Sequence, residues 1–443
     1  MTTQELKTTP RRVCFVGFDS PTLAQASSIT STLGYQIIGV AQLSDLIVFA
    51  PGVSSFKEAL GDRAPDCLGK PTCTYQEFLA KFAGMATSGD EVASMETRPW
   101  FIQKEQTVDV LGMELPIYSG TPQQGSAIPS KHVTSICYDQ PTLDLMTALA
   151  TGWCSGLDLM VEGATSSAKT TACLVLAAVL GYPMWRLNFG SSSTESDMVG
   201  RYVPSTTTGG WQFIEGPLTR WMRVTEPNHI LLLDELNMIG AGTASLEGKL
   251  NSILDYPGSM VLSEYDFSRL ERPQGSKLVS TLNVGYAGRN VLSPALTSRF
   301  TNIVAHIGGE LEWSHQVKWM LTGANPTVIK NGIAYKAPDE QNAPFAELCE
   351  DFLPFCPSIA RIHQQLAAAT GSNGDTPSIG RNRKQRYTIT RRQLWSLFRT
   401  LKVVRHQYKS SKQAIRAAID FTYCNGMEEQ DCRMAHQIIG ATL

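Results

Sequence analysis

The sequence predicts an α/β protein, with a three-layer core around a parallel sheet, a helical lid domain after it and a separate small α/β domain before it. Three observations carry that expectation. Leu157 to Thr171 reads LDLMVEGATSSAKTT, an apolar strand-like run, a loop of small residues, then a helical pattern opening at Lys169 and Thr170. An apolar run, His229 to Leu233, leads into Asp234 and Glu235, and a β-rich run, Lys277 to Asn283, ends in a polar amide, both following at α/β spacing. From Leu311 onward helical periodicity dominates, as in PSIARIHQQLAAAT and RRQLWSLFRTLKVVRHQ. These patterns divide the chain into a small domain over 1–85, a linker over 86–135, a nucleotide-binding core over 136–310 and the lid over 311–443.

The first domain is built from short elements. RRVCFVGF, YQIIGV and DLIVFAPG are strand-like; PTLAQASSITSTLG is helical, with Pro21 at its start and Gly34 at its stop. FKEALGDRA and CTYQEFLAKF read as two more helices. With Gly17 after the first strand, this order resembles a BRCT domain over Arg11 to Phe82, although Phe78 replaces the family's tryptophan in the last helix. Its phosphopeptide-reading positions do not carry over, since Val16 and Ser55 stand where a hydroxyl residue and a lysine belong, so the resemblance implies protein docking. In the linker, SGTPQQGSAIPSK is rich in Ser, Gly, Gln and Pro, while VDVLGMELPIY alternates enough for a strand or hairpin.

The core holds the chemistry. A triphosphate needs several negative charges held without bulk in the way, so a loop of small residues turns its N–H groups inward and the next helix offers its positive end. Gly163, Ala164, Thr165, Ser166, Ser167 and Ala168 form that loop, although the pattern G-x-x-x-x-G-K-[ST] asks for glycine at Ala168. Lys169 would reach the β and γ phosphates of ATP, and the Thr170 hydroxyl would bind Mg²⁺. Asp234 would hold Mg²⁺ through its water, and Glu235 would orient and deprotonate the attacking water. Asn283 could sit between the acidic strand and the γ phosphate, and Arg299 follows in SPALTSRF. Taken singly, Asp234 and Glu235 read more often as capping carboxylates, Asn283 as a turn former and Arg299 as a solvated charge; their common order favours the site.

At these residues the chain resembles the AAA+ ATPases, and more narrowly the MoxR proteins and the CobS-type subunit of cobalt chelatase. RLNFGSSSTESDMVGRY, WQFIEGPLTRWMR, ILLLDELN, VSTLNVGYAGR and SPALTSRF carry the likeness over Tyr138 to His306. The resemblance implies a helix 2 insertion at SDMVG and F-x-x-GPL. It makes Lys169 and Thr170 the nucleotide and metal contacts, Asp234 and Glu235 the metal and catalytic pair, Asn283 sensor 1, and Arg299 the arginine finger reaching a neighbouring subunit's nucleotide. Some MoxR-clade members and the minichromosome maintenance helicases also carry alanine before the P-loop lysine, which is compatible with hydrolysis. In the lid, TRRQL matches the family's sensor 2 segment, with Arg392 the first candidate and Arg391 the next. The basic run Arg383, Lys384, Arg386 reads as a solvated loop, with nucleic-acid binding as its alternative.

Composition sets bounds on function. At 443 residues the chain should hold two or three cores, since one core rarely grows past about 250 to 300 residues. A net charge of −2 with 18% charged residues gives no global pull toward nucleic acid or membrane. Met1 to Arg12 lacks a signal-peptide pattern, and the apolar stretch Cys173 to Trp185 is interrupted and too short to span a bilayer, so a cytoplasmic location without membrane contact is expected. The ten cysteines form no C-x-x-C pair and read as reduced, mostly buried thiols rather than a zinc site. The resemblance implies an ATP-hydrolysing hexameric ring that acts as a chaperone-like remodeller of a protein client, such as a partner with a von Willebrand A domain. The alternative is a DNA-transacting motor or clamp-loader-like factor.

Overall fold

The computed structural model describes residues 12–16, 36–37, 46–49, 72–74, 96–190, 193–205, 209–238, 244–283, 290–330, 333–337, 342–372, 377–381 and 387–443. The chain divides into two compact units, one of residues up to Trp100 together with Thr327–Ala337, the other of Phe101–Pro326 and Pro338–Leu443.

In the first unit, strands β1 (Arg12–Val16), β2 (Gln36–Ile37), β3 (Leu46–Phe49) and β4 (Thr72–Thr74) form a parallel sheet in the order β2-β1-β3-β4. Val13, Cys14, Ile47 and Val48 are buried, as apolar runs in a parallel sheet should be. The sequence reads CTYQEFLAKF as a helix, but its first residues, Cys73 and Thr74, pair with β3 in a strand, where pairing outweighs local helical pattern. The helices expected in this domain, and with them the features that distinguish a BRCT domain, lie outside the described residues. Strand β5 (Thr97–Pro99) pairs in parallel with Ile333–Lys336, which pairs antiparallel with Val328–Lys330.

The second unit opens with an antiparallel meander, β6 (Phe101–Gln103), β7 (Thr107–Val110) and β8 (Met113–Pro116). Leu111 and Gly112, both at positive φ, make the tight β7–β8 turn, so VDVLGMELP is a hairpin inside the stretch read as linker. Helix α1 (Gln140–Cys154) follows, capped by the Asp139 carboxylate, which accepts from the Thr142 N–H at 3.1 Å.

The central sheet is wholly parallel. Its strands β9 (Leu159–Gly163), β10 (Met184–Asn188), β13 (Ile230–Asp234), β16 (Lys277–Asn283) and β17 (Thr301–Val304) run in the order β10-β13-β16-β9-β17. Every residue of β13 and β16 is buried, which explains why both read as unbroken strand-like runs rather than alternating ones. Strand order reverses beside β9, and the crevice at the carboxyl ends next to such a reversal is where open α/β sheets bind ligands. Helix α2 (Lys169–Leu180) follows β9 and stops at Gly181, whose φ of 69° makes a left-handed cap.

Between α2 and β13 lie α3 (Glu195–Val199), the antiparallel hairpin of β11 (Gly200–Pro204) and β12 (Trp211–Glu215), and α4 (Pro217–Met222). The hairpin occupies the stretch of the expected helix 2 insertion. Helix α5 (Ala244–Leu254), the hairpin of β14 (Ser259–Val261) and β15 (Arg269–Glu271), and α6 (Pro294–Thr297) complete the core. Met160, Leu231, Leu233 and Leu278 pack with Trp221 of α4 and Leu250 of α5 in one buried cluster.

Helices α7 (Glu310–Thr322), α8 (Cys356–Ala369), α9 (Arg391–Val404), α10 (Ser411–Ile419) and α11 (Glu429–Thr442) make the lid. Their shared core includes Trp313, Val317, Ile359, Leu394, Phe398, Ile415 and Ile439. Among the described residues no helix is long and apolar enough to cross a membrane.

Candidate functional site

The loop after β9 bends through conformations that side chains rarely adopt. Gly163 has φ 159°, and a Cβ there would lie 2.4 Å from the Ala305 carbonyl oxygen, so only glycine fits. Ser166 and Ala168 have φ of 66° and 63°, in the left-handed region. The P-loop pattern asks for glycine at Ala168 because this turn wants a residue without a Cβ, and alanine holds the same turn under strain of about 1–2 kcal/mol. The turn delivers Lys169 to the first position of α2.

Lys169 is buried, and its Nζ donates to the carbonyl oxygens of Gly163 and Ala164 at 2.8 and 2.7 Å and to Asn283 Oδ1 at 2.8 Å. The Asn283 amide in turn donates to Glu235 Oε1 at 2.9 Å. Lys169, Asn283 and Glu235 therefore form one hydrogen-bonded chain from the end of β16 to the residue after β13. Glu235 sits at φ 59°, its N–H donating to Thr281 Oγ1 at 3.1 Å. A strained glutamate at a strand end is typical of functional positions.

Asp234 is buried and collects three partners. Thr170 Oγ1 donates to its Oδ1 at 2.8 Å and Thr281 Oγ1 to the same oxygen at 2.5 Å, while Arg186 donates to Oδ2 at 3.1 and 2.6 Å. The pairing of Thr170 with Asp234 brings together the two residues read as metal contacts. Arg186 and Thr281 were not singled out from sequence. Arg186 carries a signal all the same, being the one charged residue inside the strand MWRLN.

These groups line a single cavity of about 800 Å³, within the size range of small-molecule sites. Its walls include Thr165, Ser166, Ser167, Ala168, Lys169 and Thr170, the ends of β10, β13 and β16, and residues of α7 and α9. The charged residues lining it are Lys169, Arg186, Arg391, Arg392 and Arg399 against Asp234 and Glu235, an excess of cations that suits a polyanion. Arg391 donates to Asp139 Oδ2 at 2.9 Å, whereas Arg392 lines the same cavity one residue on. Arg299 is not part of the cavity lining; it pairs with Asp255, Nε to Oδ1 at 2.8 Å. The structure thus brings together every residue read as part of the site except Arg299, with Gly163 and Ala164 entering through their carbonyls. The basic run at 383–386 lies outside the described residues.

The loop conformation, the small side chains and the cation excess fit Mg²⁺-ATP. Lys169, Arg392 and the loop N–H groups would hold phosphates, and Thr170 and Asp234 would hold the metal.

Residues 158–300 match the AAA domain of the dynein-related subfamily. Over 173 residues the chain is 34% identical to midasin of Giardia intestinalis, a match covering 38% of this chain and 3% of that protein. Over 158 residues it is 29% identical to an uncharacterized protein of Staphylococcus haemolyticus, covering 35% of this chain and 57% of the other. A crystal structure from Cytophaga hutchinsonii, named a "putative ATPase", superposes with a TM-score of 0.34 at 15% identity, over 70% of this chain and 91% of that one. The chain therefore spans little more than half of one of these curated relatives and a small fraction of the other.

Proposed function

Because residues 158–300 match the AAA domain of the dynein-related subfamily, we propose that this protein hydrolyses ATP and spends the energy on remodelling a protein partner. The observation that carries the proposal is the chain Lys169–Asn283–Glu235 beside the Thr170–Asp234 pair, inside one cation-rich cavity. Lys169 binds the terminal phosphates, and drawing its Nζ toward them takes it from Asn283. Asn283 then turns its amide to the γ phosphate, and Glu235 orients a water in line and accepts its proton. Mg²⁺, when bound, neutralises charge developing on the transferred phosphoryl group.

Arg299 is the candidate for action in trans. Its guanidinium faces Asp255 rather than its own cavity, and in the proposed ring it completes the site of the next subunit. A hexamer of the MoxR or CobS-like kind and a client with a von Willebrand A domain, supported by the motifs SDMVG, F-x-x-GPL and DELN, and a BRCT-like docking domain, supported by the element order read over Arg11 to Phe82, are the finer parts of the proposal.

Phosphate release from Mg²⁺-ATP tests the activity. Glu235→Gln should retain nucleotide binding while turnover falls about 10²- to 10⁴-fold; equal turnover in wild type and Glu235→Gln would remove Glu235 from its role.

A further inference from the structure

The lid carries a second cluster of metal-type side chains, remote in sequence from the P-loop. After α10 the chain makes a short π-helical turn, Asp420–Cys424, and then returns as α11. Asp420 and Cys424 stand four residues apart on the turn; Cys432 and His436 stand four apart on α11, one helical turn on the same face. Cys424 Sγ, Cys432 Sγ and one imidazole nitrogen of His436 all lie within 4.8 Å of one another. Cys432 Sγ and His436 Nε2 are 3.9 Å apart. Tetrahedral bonds of about 2.3 Å to sulfur and about 2.0–2.1 Å to nitrogen set such a pair about 3.5 Å apart, so small side-chain rotations close the set. His436 Nε2 also lies 2.9 Å from Asp420 Oδ1, which brings an oxygen donor to the rim.

We propose that Cys424, Cys432 and His436 hold a divalent cation of the zinc class, with Asp420 placed to close the fourth position. Two thiolates and an imidazole are soft and borderline donors, a set that selects Zn²⁺ over Mg²⁺ or Ca²⁺. The burial gradient fits an ion taken from solvent, since Cys424 is buried, Cys432 half-buried and His436 exposed. Binding replaces the His436–Asp420 hydrogen bond, because Nε2 donates a proton to the Asp420 carboxylate and must give it up to present a lone pair to the metal, and it releases the thiol protons. The site has a mechanical role available to it. Helix α11 buries only Ala435 and Ile439, a thin anchorage for a helix of 14 residues. A metal bridging Cys424 to Cys432 and His436 fastens that helix to the rest of the lid.

The test uses Co²⁺ as the probe. The 443-residue chain, reduced and stripped of metal, is titrated with Co²⁺ and followed by absorption. One equivalent should produce the d–d bands of tetrahedral Co²⁺ and a thiolate-to-metal charge-transfer band, both erased by Zn²⁺. The oxygen-ligated metal position at Thr170 and Asp234 gives no thiolate band, so the two sites are separable. Cys432→Ser and His436→Ala, both at accessible positions, should lose the signal while far-UV circular dichroism stays unchanged, and Cys349→Ser should keep it. Hydrogen exchange in α11 should slow with Zn²⁺ in wild type and not in His436→Ala. Absence of the bands in reduced wild type, their persistence in both variants, or a Cys424–Cys432 disulfide whose reduction yields no metal uptake would overturn the proposal.

Discussion

At the scale of single residues, two positive φ angles deserve separate treatment because they have opposite expected outcomes. Ala168 carries a Cβ where the turn wants none, so Ala168→Gly should raise stability by about 1 kcal/mol in urea unfolding, the left-handed penalty being removed. Glu235 is also left-handed, but its side chain is anchored by Asn283, so glycine there should abolish turnover even where it relieves strain. The residues of the P-loop were legible in sequence because phosphate chemistry dictates their types and their order. Arg186 and Thr281 were not, since an arginine on one strand and a threonine on another are joined to Asp234 only by strand order, which spacing along the chain does not disclose. Cys432 and His436 show the same limit. A C-x-x-C search passes over a pair spaced for one helical turn.

Elements carry their own predictions. Asp158, at the start of β9, makes a bidentate pair with Arg272 beyond β15, at 2.5 and 2.7 Å, and accepts from the Leu278 N–H of β16. Asp158→Ala leaves a largely buried guanidinium unpaired and should cost about 2–3 kcal/mol, read as a lower denaturant midpoint at constant slope. In the lid, His363 of α8 is buried, with Nδ1 2.8 Å from the Tyr423 hydroxyl, and burial together with the Arg391 charge pushes its pKa down to about 3. The unfolded chain takes up a proton near pH 6.5 that the folded chain refuses. His363 therefore adds no pH dependence above that pH and lowers stability by about 1.4 kcal/mol per pH unit as pH drops from about 6.5 toward 3. Thermal or urea unfolding across that window should show the slope, and His363→Gln should flatten it. The fully buried strand β13 was legible as a continuous apolar run, β16 as a β-rich one, and α9 through its amphipathic period. Two short strands, Val328–Lys330 and Ile333–Lys336, interrupt the stretch that reads as helical, because strands of three or four residues leave no periodicity to detect.

The whole molecule is proposed to work as a ring, and the prediction that belongs here is complementation. ATP should promote a larger assembly of the Glu235→Gln protein in light scattering, and a strictly monomeric protein at micromolar concentration would refute the ring. Mixed Arg299→Ala and Lys169→Ala subunits should regain activity that neither shows alone, since some interfaces pair an intact arginine with an intact lysine. Removal of Met1 to Phe82 should leave basal turnover nearly intact and abolish partner capture. DNA should change turnover little; a several-fold stimulation that weakens steeply with salt would move the protein to the DNA-transacting class.

The cavity has walls of two origins, since Lys169 and Arg186 stand on the sheet and its first helix while Arg391, Arg392 and Arg399 project from one lid helix, α9. A polyanion between them acts as electrostatic glue for the two layers. Once it leaves, the like charges that attracted it face each other across an evacuated gap, and their repulsion favours parting the layers. Occupancy would then be broadcast as the tilt of a helix, and the tempo of the cycle would be set by how readily α9 lets go of spent product.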